Sequence, residues 1–141
     1  MSQFIHRLEV RFRDCDAMGH ANNAVYLTYL EQARFAHWRS LWGFGTPQLP
    51  PGLPGVILAR VECDYKRPTK YGDTLEVRLT VAEIGRTSFR YEYEIADDQG
   101  RTVLTAKTVQ VMYDYTAEKP VRIPDEIRAL LRIHGPDRGQ G

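Results

Sequence analysis

The sequence has little cysteine, which excludes a fold built on disulfide bonds. Only Cys15 and Cys63 occur among the 141 residues, and two cysteines do not form a disulfide framework. No Cys-x-x-Cys pair and no closely spaced group of histidines provides the ligand spacing of a zinc site. We therefore expect a protein of a reducing compartment, the cytoplasm, without a metal ion.

The chain also lacks a long apolar run and an excess of charge of either sign. No apolar stretch approaches the roughly 20 residues that span a bilayer, and the sequence does not open with the basic and apolar regions of a signal peptide. Lys and Arg total 19, and Asp and Glu total 18. This balance argues against a mainly electrostatic nucleic-acid binder. We expect neither a membrane span nor a nucleic-acid partner.

The length favours a single domain over 1–141, with a frayed tail at about 136–141. Four of the eight prolines lie in the segment 43–55. This segment is predicted to be a loop rather than a linker, because no second domain follows it. It either covers a substrate pocket or merely connects a helix to the sheet.

Hydrophobic periodicity predicts one long helix and a sheet. The helix runs from about residue 23 to 41 and is apolar around most of its circumference, which is typical of a buried helix. A short helix with proline at its start is predicted over 124–131. Successive hairpins indicate an α+β fold with a mainly antiparallel sheet. The predicted strands are 4–13, 56–67, 73–84, the strand with Phe89, Tyr91, Tyr93 and Ile95 facing inward, and 101–115.

Five polar residues crowd the joint between the first strand and the long helix: Asp14, Asp16, His20, Asn22 and Asn23. A helix N-terminus offers unpaired N–H groups that can hold the oxyanion of an attacked carbonyl. A carboxylate beside it can act as a general base or as a nucleophile. Hydrolysis of an activated acyl group is therefore one interpretation. The other is that these residues only form a turn and a helix cap.

The motif Asp14-Cys15-Asp16-Ala17-Met18-Gly19-His20-Ala21-Asn22-Asn23 is followed by Tyr26-Leu27 and by Leu30-Glu31-Gln32-Ala33-Arg34. This pattern resembles the opening motif of hotdog-fold acyl-CoA thioesterases of the 4-hydroxybenzoyl-CoA thioesterase type. The later Pro68-x-x-x-Gly72-Asp73 matches a second landmark of that family. The resemblance implies a five-stranded, curved, mainly antiparallel sheet wrapped around the long helix. It also implies a homodimer or a dimer of dimers, with active sites between subunits.

The resemblance assigns the catalytic role to Asp16, as a nucleophile or as a general base on water. Asp14 is expected to shape the turn. Backbone donors are expected from Gly19 to Ala24. Asn23 stands where many relatives have histidine, so it can donate a hydrogen bond but cannot supply a proton. The catalytic set implied is Asp16, Asn23 and Gly19, and the role of general acid stays unassigned.

The remaining candidate residues would bind the substrate. His20 and Asn22 are expected to bind the substrate, and Tyr26 to line the acyl pocket. The alternatives are a loop histidine for His20, helix capping for Asn22 and core packing for Tyr26. Glu31 is expected to pair with Arg34 or with a backbone donor, because a buried carboxylate is costly when unpaired. The phosphates of coenzyme A need cations, for which the chain offers Lys66, Arg67, Lys70, Arg86 and Arg90.

The resemblance implies an acyl-CoA thioesterase that needs no cofactor other than the coenzyme A of its substrate. Two alternatives stay open: an acyl-carrier-protein thioesterase, and an acyl-CoA-binding hotdog protein without activity. A basic patch near the pocket would favour the first. Tight binding without turnover, with Asp16 intact, would favour the second.

Overall fold

The computed structural model describes residues 3–42 and 54–135, so the predicted tail and almost all of the proline-rich loop lie outside the described residues. Two helices and six strands are present in this part of the chain, connected mostly by short turns. In chain order they are β1 Phe4–Glu9, α1 Val25–Trp42, β2 Gly55–Tyr65, β3 Thr74–Ile84, β4 Ser88–Asp97, β5 Thr102–Asp114, β6 Lys119–Pro120 and α2 Asp125–Leu131.

The strands form one sheet in the order β1-β3-β4-β5-β2, and all pairs are antiparallel. The two-residue β6 pairs with the end of β5. The long helix α1 packs on one face of this curved sheet, so the predicted hotdog arrangement is confirmed. β1 ends at Glu9 rather than at residue 13, because a 3₁₀ turn over Phe12–Asp14 already begins the loop toward α1.

The core lies between α1 and the inner face of the sheet. On β4 the inward residues are Phe89, Tyr91, Tyr93 and Ile95, as predicted, and all four are buried. The apolar pattern predicted a buried helix, and Tyr26, Tyr29 and Leu30 of α1 are buried, but one side of the helix is not covered in the single chain. Leu27 of α1 is 43% exposed and Glu31 is also exposed, because the sheet covers only one side of α1.

A buried polar cluster fixes the C-terminal half of α1 to the sheet. The Nδ1 atom of His37 lies 2.8 Å from the Tyr91 hydroxyl oxygen, which also accepts a hydrogen bond from the Trp38 indole at 2.7 Å. The Nε2 atom of His37 lies 3.1 Å from Nδ1 of His134. Burial, helped by the proximity of His134, lowers the pKa of His37 to about 3. His37 is therefore neutral at physiological pH.

This shift predicts a pH-dependent stability. Between pH 6.5 and about 3 the unfolded chain protonates His37 and the folded protein does not, so acidification favours unfolding. The contribution of His37 is complete above pH 6.5 and falls by roughly 1.4 kcal/mol per pH unit below it. Urea unfolding from pH 7 to pH 4 should show a shallower pH dependence for His37→Gln than for the parent. Equal slopes would contradict this account.

Candidate active site

The loop between β1 and α1 is anchored by Asp14. Its buried carboxylate accepts hydrogen bonds from the Arg11 backbone N–H at 2.9 Å, the Arg11 guanidinium at 3.1 Å and the Tyr29 hydroxyl at 2.9 Å. Burial by itself raises the pKa of Asp14, but these hydrogen bonds outweigh it and the pKa lies below its ordinary value. The prediction that Asp14 shapes the turn is confirmed.

Replacing this anchor should loosen the loop. We expect Asp14→Asn to lower the free energy of unfolding at pH 7 by about 1–3 kcal/mol, because charged hydrogen bonds are lost in a buried setting. The folded-state pKa of Asp14 is depressed, so its stabilisation is present above the ordinary pKa of 3.8 and is lost as pH falls below that value. Denaturant titrations at pH 7 and pH 3 check this expectation. A difference between parent and variant that grew at pH 3 would contradict it.

Asp16 follows in an Asx turn at the surface of the loop. Its Oδ1 atom accepts the Met18 N–H at 2.9 Å and, more weakly, the His20 N–H at 3.4 Å. Within 3–42 and 54–135, the second carboxylate oxygen has no protein hydrogen-bond partner. The backbone hydrogen bonds thus orient one carboxylate oxygen and leave the other free to accept a hydrogen bond or a proton from a ligand.

Gly19 closes this turn and does not act as an oxyanion donor, contrary to the prediction. Its φ of 82° lies in the left-handed region that glycine adopts without strain. Its N–H donates to the Asp16 carbonyl at 3.0 Å, so this donor is already used. Gly19 therefore shapes the loop that presents Asp16.

The start of α1 separates the roles of two neighbouring asparagines. The Asn22 side-chain oxygen accepts the Ala24 N–H at 2.8 Å, and the Asn22 carbonyl accepts the Val25 N–H at 2.9 Å. Asn22 is thus the N-cap, which is the capping alternative rather than substrate binding. Asn23 lies in the turn that leads into α1, and among the described residues its N–H has no hydrogen-bond partner.

The loop and the helix start meet the end of β2 in a pocket of about 290 Å³. Six of the predicted site residues line it, together with a tyrosine that the sequence did not single out. Tyr65 donates its hydroxyl hydrogen to the Asn23 carbonyl at 2.9 Å, which holds the end of β2 against the helix start. The lining is Asp16, His20, Ala21, Asn23, Tyr26, Tyr65, Lys66, Arg67 and Pro68.

Charge is distributed unevenly around this pocket. Lys66 and Arg67 add two cations at one wall, where they can meet phosphate. A second pocket of about 440 Å³ shares His20 and Arg67 with the first and adds Lys70. Its wall also contains Arg101 and the three aspartates Asp73, Asp97 and Asp98, so its three cations and three anions balance.

Arg86 does not reach this pocket within the chain. It lies in the turn between β3 and β4, whereas Asp16 lies beside the opposite end of the sheet. The eleven residues of β3 separate the two ends, which is a span of roughly 35 Å. Like Lys66 and Arg67, Arg86 stands near a strand end in the sequence, but the direction of β3 puts it at the other end of the sheet. Arg90 is also occupied, in ion pairs with Glu83 and Glu92.

The match to a family model decides the identity of the fold and its broad activity. Residues 10–131 match the model of the thioesterase-like superfamily. The chain belongs to this superfamily. In agreement, it is 30% identical over 135 residues to a 1,4-dihydroxy-2-naphthoyl-CoA hydrolase from Synechococcus elongatus, covering 94% of this chain and 98% of the relative.

Two solved structures extend the similarity to three dimensions. A thioesterase from Thermus thermophilus, complexed with coenzyme A and Zn, is 32% identical with a TM-score of 0.76, covering 92% of this chain and 91% of that chain. A hypothetical protein from Aquifex aeolicus is 32% identical with a TM-score of 0.82, covering 91% and 98%. This thioesterase-superfamily chain is therefore a thioester hydrolase.

The described residues contain neither a metal-binding cluster nor a membrane-spanning helix. Over 3–42 and 54–135, no group of three or more His, Cys, Asp or Glu residues could hold a metal ion. No helix in that part of the chain is both long and apolar enough to cross a membrane.

Proposed function

We propose that this protein hydrolyses an acyl-CoA thioester to a carboxylic acid and coenzyme A, with Asp16 as general base. The observation that carries the proposal is that Asp16 and Asn23 line one pocket at the N-terminus of α1. Hydrolysis by water needs two groups. An oriented carboxylate activates the water, and an unpaired N–H at a helix start holds the oxyanion.

In the proposed reaction, the thioester carbonyl oxygen accepts the Asn23 N–H, and the partial positive charge of the helix start adds to this donor. The open oxygen of Asp16 takes a proton from water as the water oxygen bonds to the carbonyl carbon. The oxyanion then collapses, the carbon–sulfur bond breaks, and the thiolate of coenzyme A leaves with the electron pair. The Asx turn keeps the Asp16 carboxylate oriented throughout.

Coenzyme A would approach from the cationic wall of the pocket. Lys66 and Arg67 are available for its phosphates, and Lys70 lies in the adjoining pocket. The similar thioesterase from Thermus thermophilus is complexed with coenzyme A, which supports coenzyme A rather than another thiol as the carrier of the acyl group.

The test is release of free thiol from short, medium, long and aromatic acyl-CoAs by the purified protein. Turnover of at least one acyl-CoA, lost in Asp16→Asn, is the expected result. Absence of turnover across the panel by folded protein would overturn the proposed function.

We also infer that the working enzyme is a homodimer. α1 leaves Leu27 exposed beside the pocket, and among the described strands the eleven-residue β2 ends the sheet with an unpaired edge. Proteins seldom leave such an edge free, and a second copy would cover both features. Sedimentation equilibrium should give twice the chain mass of 16.2 kDa or a multiple of that dimer. A monomer at micromolar concentration would contradict the inference.

A further inference from the structure

Arg34 is a buried cation for which the reaction described above has no use. It lies on α1, only 5% exposed, and its guanidinium makes one hydrogen bond to a described residue, the Tyr93 hydroxyl at 3.2 Å. Among the described residues no carboxylate lies within ion-pair distance of it. The expected pairing with Glu31 is therefore absent, and Glu31 is exposed rather than buried.

The neighbours of Arg34 do not neutralise its charge. Burial raises the pKa of Tyr93, so its hydroxyl stays protonated at neutral pH. This hydroxyl lies 2.7 Å from the Thr108 hydroxyl, which accepts a hydrogen bond from Gln110 at 2.6 Å. A buried guanidinium without a carboxylate costs several kcal/mol of folding free energy.

The register of the sheet places Arg34 next to the thioester pocket. Tyr93, Ala106 and Cys63 are direct partners on neighbouring strands, so they form one row on the same face. Tyr65, which lines the pocket, is two residues along β2 from Cys63. Two residues of a strand span about 7 Å. The small side chains of Ala106 and Cys63 therefore lie between the pocket and the Arg34–Tyr93 pair.

The geometry of α1 also places Arg34 near the thioester pocket. Leu27 and Arg34 are seven residues apart, which places them on one face of α1, and Asn23 lies in the turn just before that helix. Side chains on a helix lean toward its N-terminus, so the guanidinium of Arg34 leans back toward the pocket. Between the two ends, Leu27 provides an apolar, exposed side chain.

We propose that Arg34 binds the distal carboxylate of a dicarboxylic acyl group whose thioester lies at Asp16 and Asn23. This proposal rests on the proposed acyl-CoA hydrolysis and adds a substrate class to it. A carboxylate supplies the missing negative charge and matches the planar guanidinium with two parallel hydrogen bonds. Tyr93 lies two strands across the sheet from Tyr65, about 10 Å, and two residues along it, about 7 Å, which is roughly 12 Å in all. A six-carbon acyl chain of about 6 Å with a hydrogen bond of about 3 Å at each end is of the right order for this separation.

The experiment compares kcat/KM for adipyl-CoA and hexanoyl-CoA, which share the carbon count and differ in the distal carboxylate. The parent should prefer adipyl-CoA by about tenfold or more, since a hydrogen bond to a charged group contributes that order of energy. Arg34→Gln should remove this preference and keep hexanoyl-CoA turnover. Arg39→Gln, an exposed arginine on the same helix, should retain it.

The outcomes separate this proposal from the proposed function. A parent that favours hexanoyl-CoA, or an Arg34→Gln variant that keeps the adipyl-CoA preference, overturns the role of Arg34 alone. If the parent hydrolyses no thioester, the proposed function fails. In that case, calorimetry measures the binding of the same two ligands to the parent and to Arg34→Gln. Tighter binding of adipyl-CoA that depends on Arg34 would support the role of Arg34 in binding the carboxylate. Equal binding of the two ligands would overturn that role.

Stability provides a readout that does not depend on turnover. Replacing a buried, unpaired cation by an apolar side chain should leave the fold as stable or make it more stable. We therefore expect Arg34→Met to melt at or above the temperature of the parent. A lower melting temperature, or an Arg34→Gln variant that does not fold, would make Arg34 a structural residue and overturn the proposal.

Discussion

We expect Asp16→Asn to lower kcat for acyl-CoA hydrolysis by roughly 10²- to 10⁴-fold, the usual contribution of a general base. The substitution is well matched, because the asparagine oxygen can still accept the Met18 and His20 N–H groups that hold the Asx turn. The amide cannot take a proton from water. The loss should therefore fall on kcat, with KM little changed, and thiol-release kinetics measure both.

The control for this substitution is Asp125→Asn. Asp125 is an exposed aspartate at the start of α2, and its carboxylate pairs with Arg122. Its neutralisation should leave turnover unchanged, so a general effect of removing one negative charge can be separated from the loss of the base. Undiminished turnover in folded Asp16→Asn would refute the assignment of Asp16.

The two chemical roles open to Asp16 differ in where an oxygen atom goes. A general base never bonds to the acyl carbon, so a single turnover in ¹⁸O-water places the label only in the released acid. A nucleophilic Asp16 would form a mixed anhydride with the acyl group. Water that attacks the acyl carbon of this anhydride leaves the label in the released acid. Water that attacks the Asp16 carboxyl carbon leaves the label in the protein. Label in the Asp16 peptide would contradict the general-base role.

The second large effect is expected at Asn23, where backbone and side chain can be tested separately. Asn23→Ala keeps the N–H and removes the amide side chain, whereas Asn23→Pro removes both. Residue 23 lies between the capping Asn22 and Val25, the first residue of α1. Its N–H bonds to no described residue, so proline there removes no hydrogen bond within the described part of the chain. We expect proline to lower kcat by about 10²- to 10³-fold relative to alanine, the usual loss of one oxyanion-hole donor.

Circular dichroism must show that Asn23→Pro keeps its helix, and the design depends on this control. The Tyr65 hydroxyl can still bond the residue 23 carbonyl in both variants, so that contact does not confound the comparison. Alanine and proline variants with equal kcat would show that the N–H at residue 23 holds no oxyanion.

The fold could be predicted from the sequence because its elements repeat with simple periods. Alternation along β4 placed Phe89 and Tyr91 inward, and both are buried. The apolar pattern of α1 predicted a buried helix, and most of its apolar residues are buried or partly buried. Its apolar residues exceed what one sheet face covers, and Leu27 stays exposed. Hydrophobic periodicity does not distinguish a residue buried within the chain from one that an additional partner would cover.

The site was predictable where neighbours in sequence are neighbours in space. The joint before α1 is local, so the motif located Asp16 and Asn23 in one pocket. Tyr65 and Arg86 depend on tertiary structure: the end of β2 brings Tyr65 to the helix start, and strand direction carries Arg86 to the far end of the sheet. No local pattern marks either position. The sequence predicted that Glu31 pairs with Arg34 or with a backbone donor. Only the packed structure shows that Arg34 has no carboxylate partner among the described residues.

The central claim is that the thioester is hydrolysed between Asp16 and the start of α1. A crystal structure of Asp16→Asn with hexanoyl-CoA tests it most directly. The predicted result is a thioester carbonyl oxygen within about 2.7–3.2 Å of the Asn23 nitrogen, with the carbonyl carbon beside residue 16. A thioester bound elsewhere, such as in the adjoining pocket beside Lys70 and Asp98, would contradict the account.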